Sequence, residues 1–165
     1  MSEAVHPRML VACIGNIFWG DDGFGCEVAR ALARMTLPPE IRVVDYGIRG
    51  LDVVYALLGP YEKVILVDAA AHGSPPGTIY ILQPVVESGE EIEAIVDAHS
   101  MQLVHLMAMA QSLGEITAEI YIVGCEPLDF GSEEDGRMGL SDPVKASVAE
   151  AARVVMQLTP PGVST

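Results

Sequence analysis

The sequence predicts a three-layer, doubly wound α/β domain with a mostly parallel five-stranded sheet and one antiparallel strand. Short apolar runs rich in β-branched residues alternate with segments of helical spacing, the signature of strand-helix repetition. Two of the runs, Leu10–Ile14 and Val64–Val67, are apolar without alternation, as parallel strands covered by helices on both faces are. A further run, Gly77–Gln83, follows a Gly/Pro turn instead of a helix, so it pairs antiparallel at or near an edge.

The elements follow in order. Met9–Ile14 is the first strand, and the Gly-rich loop after it opens a helix over Phe24–Met35. Ile41–Asp45 is the second strand, and a short loop leads into a helix over Leu51–Leu58. Lys63–Asp68 is the third; the turn Gly73–Gly77 then delivers the fourth, Thr78–Gln83. A helix over Met101–Leu113 precedes the fifth strand, Ala118–Gly124. Pro127–Ser141 has the composition of a mobile acidic loop, with Glu133–Asp135 too charged to bury. Pro143–Leu158 forms the last helix, and Thr159–Thr165 reads as a frayed tail.

Composition narrows the function classes. A chain of 165 residues fits one domain, residues 1–165, able to bury a core without disulfides. Half of the residues are apolar, yet no run approaches the roughly 20 that a membrane span requires, so a soluble protein with no membrane partner is expected. The first residues read as the approach to a strand and not as a signal peptide. Cys13, Cys26 and Cys125 form an odd set without CxxC spacing, which fits buried, reduced thiols in the cytoplasm. A net charge of −14 with nine scattered Lys and Arg residues repels a phosphate backbone and excludes nucleic acid as a partner.

The residues able to carry chemistry sit at strand ends. After the first strand the chain reads Gly15-Asn16-Ile17-Phe18-Trp19-Gly20-Asp21-Asp22-Gly23-Phe24-Gly25. It has neither the Lys of a phosphate-binding loop nor GxGxxG spacing, and its two carboxylates favour a cation over a phosphate. Helix capping by Asp21 or Asp22 is the plain alternative. Asp68 stands directly after four apolar residues, where burial demands an N–H, a cation or a metal as partner. His99 falls in the first turn of a helix, where the dipole disfavours its charged form. Two carboxylates and a neutral imidazole suit a borderline divalent ion such as zinc or nickel. His105, farther along that helix, reads as a core or helix-face residue. Asp45 and Gly47 follow the second strand at the same sheet edge. Glu126 closes the fifth strand, and it and Asn16 either line a cleft or set a loop.

The order of these motifs resembles the nickel-iron hydrogenase maturation proteases, which trim the C-terminal extension of the hydrogenase large subunit. Gly15-Asn16 through Gly25 is similar to that family's Gly-Asn…Asp-(Asp/Glu)-Gly-x-Gly signature, with Asp68 after an apolar strand and His99 opening a helix. The resemblance implies that Asp22, Asp68 and His99 bind metal, nickel brought by the precursor, with zinc or another divalent ion as a surrogate. It also implies substrate handling or catalysis by the loop after the second strand, where the family's Asp-x-Gly-Thr becomes Asp45-Tyr46-Gly47-Ile48, with Arg49 beside it suggesting a different substrate tail.

No Ser/His/Asp or Cys/His set stands out, so attack by water is expected. Either the metal activates that water, or it positions the substrate while Asp45 or Asp21 is the general base. Asn16, Gly47, Arg49 and Glu126 are the expected substrate contacts. The competing readings are a non-catalytic metal- or small-ligand-binding module and a related protease acting on another protein.

Overall fold

The computed structural model describes residues 6–84, 100–131 and 136–159. Five strands, β1 (Met9–Ile14), β2 (Ile41–Gly47), β3 (Lys63–Ala69), β4 (Ile79–Leu82) and β5 (Glu119–Cys125), form one sheet in the order β2-β1-β3-β5-β4. All neighbours are parallel except β4, which runs antiparallel to β5 at one edge. The doubly wound, mostly parallel architecture expected from the sequence is present.

Helices α1 (Phe24–Ala33), α2 (Gly50–Leu57), α3 (Ser100–Leu113) and α4 (Asp142–Leu158) cover the two faces. β1 sends Met9, Val11 and Cys13 to the face packed by α1 and α4, and Leu10, Ala12 and Ile14 to the face packed by α2 and α3. β3 divides in the same way, with Ile65 and Val67 on one side and Val64 and Leu66 on the other. Unbroken apolar runs are what two-sided burial selects, at about 1.5–3 kcal/mol for each fully buried aliphatic side chain. No helix among the described residues is long and apolar enough to cross a membrane.

Helix α1 presents Phe24, Val28 and Leu32 to the core at four-residue spacing and leaves Arg30 outside, paired with Glu27. It ends at Ala33, two residues before the expected Met35, in a turn closed by Arg34 and Met35 N–H groups. Helix α4 begins at Asp142-Pro143, where proline's missing N–H carries no penalty.

The chain leaves β1 for β2 on one side, then crosses back past β1 to β3 on the other. Strand order therefore reverses between β1 and β3, and the crevice beyond their carboxyl ends is where a doubly wound sheet receives ligands. β2 continues past Asp45 to Gly47 through a bulge: Cys13 faces Asp45 and Ile14 faces Gly47, leaving Tyr46 as the extra residue, its side chain buried.

Candidate active site at the carboxyl edge of the sheet

Two glycines fix the loop between β1 and α1. A Cβ on Gly25 would stand 2.2 Å from the Ile14 carbonyl oxygen, so only glycine lets α1 start against the end of β1. A Cβ on Gly15 would stand 2.1 Å from the Asp22 carbonyl oxygen. That oxygen and Asp22 Oδ2 both accept the Asn16 N–H at 3.1 Å, and Asn16 Oδ1 accepts the Phe18 N–H at 2.9 Å. Asn16 thus sets the loop from within.

Asp68 ends β3 with 5% of its surface exposed, its Oδ1 accepting the Ala69 N–H at 2.9 Å. Burial raises its carboxyl well above the usual range, the Asp22 charge raises it further, and the Ala69 hydrogen bond only partly opposes them. The charge of Asp22, on the loop that leaves β1, therefore acts on Asp68 at the end of β3. Carboxylate oxygens are the donor type that suits a divalent cation. The third expected ligand, His99, lies outside the described residues, and no cluster of three ligating side chains occurs among the described ones.

Asp45 is exposed at the neighbouring position, its Oδ1 accepting the Gly47 N–H at 3.0 Å. Gly47 adopts φ 55°, which favours glycine, and its carbonyl accepts the Gly15 N–H at 3.0 Å, joining the two loops. The Cys26 thiol lies beneath, donating to the Gly15 carbonyl at 3.6 Å. Burial pushes this thiol up to about 12, and the nearby acids, Asp45 first and then Asp22, reinforce the shift. Cys13, Cys26 and Cys125 are buried and free, as expected.

Other candidates take different positions. Asp21 has 0% exposure and accepts four hydrogen bonds: Leu128 N–H at 2.8 Å, Asp129 N–H at 3.0 Å and the Ser141 hydroxyl at 2.8 Å on Oδ2, and Ser141 N–H at 2.7 Å on Oδ1. That environment suits a tie between segments and not a base facing substrate, and neither Asp21 nor Asp22 caps α1. Arg49 folds back on its own loop, donating to the Tyr46 and Asp45 carbonyls at 3.2 and 2.9 Å and pairing with Asp52 at 3.3 Å. Glu126, 5% exposed, takes the loop-setting role: it accepts His72 N–H at 2.7 Å, Gly73 N–H at 3.2 Å and the Tyr80 hydroxyl at 2.6 Å. Burial pulls Glu126 up, but hydrogen bonds from Tyr80 and the His72, Gly73 and Ser74 N–H groups outweigh it and leave it below its usual value. His72 packs edge-on to Tyr80, and its buried Nε2 has no hydrogen-bond partner among the described residues.

The acidic segment after β5 is pinned where it is described. Gly20 N–H donates to Arg137 O at 2.7 Å and Asp21 N–H to Asp129 O at 3.0 Å. Its centre, including Glu133–Asp135, lies outside the described residues. Around the edge, Phe18, Trp19, Leu128 and Met138 are exposed, and Ile48, at the position of the family's Thr, is 77% exposed.

A sequence model of the hydrogenase maturation protease family matches residues 26–158. A candidate hydrogenase maturation protease of Methanocaldococcus jannaschii is 33% identical over 149 residues, covering 90% of this chain and 93% of its own length. The [NiFe] hydrogenase maturation protease HybD of Thermococcus kodakarensis superposes with a TM-score of 0.71 at 26% identity, covering 93% and 99% of the two chains. The maturating endopeptidase HybD of Escherichia coli, at 24% identity and a TM-score of 0.73 over 91% and 90%, shares the fold.

Proposed function

The chain belongs to the hydrogenase maturation protease family, and from that premise we propose that it removes the C-terminal extension of a [NiFe] hydrogenase large-subunit precursor, with Asp22, Asp68 and His99 recognising the nickel that the precursor carries. The observation that supports this most directly is a carboxyl, Asp68, buried at the end of β3 beside the β1/β3 crevice and within the field of Asp22.

In this reading Asp22 and Asp68 supply carboxylate oxygens and His99 a neutral imidazole, a mixed set with room for further ligands from the precursor. A metal held by these residues would supply Lewis-acid chemistry to the substrate carbonyl and a fixed point for the chain that carries it. Asp45 is the group we assign as general base, because it is exposed at the end of β2 on the same edge of the sheet, whereas Asp21 is enclosed. The cysteines take no part as nucleophiles, since burial holds their thiols protonated. Buried free thiols are compatible with a cytoplasmic setting.

The test is incubation with large-subunit precursor in nickel-loaded and nickel-free forms, followed by mass measurement of the product's C-terminus. We expect trimming of the loaded form only. Equal trimming of both forms would remove nickel recognition and leave the protease assignment; trimming of neither would remove the proposed substrate.

A further inference from the structure

Asp21 and Asp22 are neighbours in one motif, but their surroundings differ. Asp22 is partly exposed at the crevice; Asp21 is enclosed, and three of its four donors are backbone N–H groups from Leu128, Asp129 and Ser141. These donors come from the segment after β5 and from the entry to α4, more than a hundred residues away in the chain. The Ser141 hydroxyl completes the set. Two backbone bonds, Gly20 to Arg137 and Asp21 to Asp129, run alongside.

From this geometry we propose that Asp21 is a positioning residue for Asp22. The claim rests on the processing reaction proposed above. One planar peptide joins the two residues, so the bonds that fix Asp21 leave Asp22 little freedom to move. Asp22 is also bonded within the loop: its carbonyl and its Oδ2 both accept Asn16 N–H, and its own N–H donates to Trp19 O at 3.1 Å. Without the four bonds to the Asp21 carboxylate, the tie from this loop to the segment after β5 would be cut back to backbone bonds such as Gly20 to Arg137 and Asp21 to Asp129. Asp21 thus couples the crevice at β1 and β3 to the segment that leaves β5.

The test compares Asp21→Asn with Ser147→Ala. Asparagine keeps the shape but leaves an NH2 group facing a donor. Ser147→Ala instead removes the 2.6 Å bond from α4 to Gly77 O, away from the Asp22 loop. Amide exchange is read at Asn16 and Asp22, at Leu128, Asp129 and Ser141, and at Val11 and Ile65 as core controls. We expect Asp21→Asn to speed exchange at the first two groups on the order of tenfold, leave the controls unchanged, and lower kcat on the order of tenfold or more with KM little altered. Ser147→Ala should show neither effect. Acceleration confined to Leu128, Asp129 and Ser141, uniform acceleration everywhere, or wild-type kcat in the folded variant would overturn the proposal. If the wild type processes no precursor, the function above fails and the exchange pattern alone still decides the positioning claim. Should Asp21→Asn not fold, Ser141→Ala, which removes only the hydroxyl donor, supplies the same comparison.

Discussion

Asp68 at the end of β3 lies in the field of Asp22 from the loop after β1, and the like charges oppose each other in a buried setting. Burial is the larger of the two effects. A domain built only for stability would not place a carboxyl there, because an apolar or amide side chain fits without that penalty.

Asp68→Asn should therefore raise the thermal stability of the metal-free protein, by about 1 kcal/mol, while abolishing processing. The amide keeps an oxygen for the Ala69 N–H and removes the opposed charge. Thermal melts in chelator and precursor cleavage read the two effects, and a lower melting temperature would contradict the sign.

His99→Ala should eliminate cleavage with the fold intact, whereas His105→Ala, on an exposed face of α3, should change activity little and stability by no more than about 0.5 kcal/mol. Circular dichroism and mass-detected processing separate the two. Normal trimming by folded His99→Ala would sink the three-ligand reading.

Glu126→Gln tests the other buried acid. Its folded-state pKa is lowered, so its contribution to stability is present above the ordinary carboxylate range and is lost as pH falls through the folded value. The variant should lose about 1–3 kcal/mol at neutral pH and show a shallower acid decline than the wild type. Urea melts at pH 7 and at successively lower pH decide it; parallel curves for the two proteins would count against the assignment.

Thiol chemistry should be silent. Burial first, then nearby acids, push Cys26 and Cys125 up to about 12 and raise Cys13 as well. Iodoacetamide at pH 8 should leave native protein unlabelled and still active, and should label all three thiols after denaturation. Rapid native labelling with loss of cleavage would instead implicate a cysteine in the reaction.

Much of the fold was legible because it rests on local patterns. The apolar runs at β1 and β3 announced two-sided burial, and the Gly73–Gly77 turn announced the antiparallel edge of β4. Asp68 stood out because a charge after four buried residues needs an explanation. The difference between Asp21 and Asp22 was not legible, since it depends on Ser141, far along the chain. Nor was Glu126's hold on His72 and Tyr80, which arises only once β4 turns back beside β5. The bulge at Tyr46 was equally hidden, because it is a matter of register between β1 and β2.

The crowding at Gly15 and Gly25 closes the intervening loop at both ends, with Gly15 against Asp22 and Gly25 against Ile14. Such a loop behaves as a cassette of set length. An inserted or deleted residue has no slack to occupy, because either end would have to lift from its seat. Exchange of this segment with that of a relative should therefore succeed only when the whole stretch from one glycine to the other is moved as a unit of unchanged residue count. Piecemeal grafts would leave a foreign span fastened to native ends.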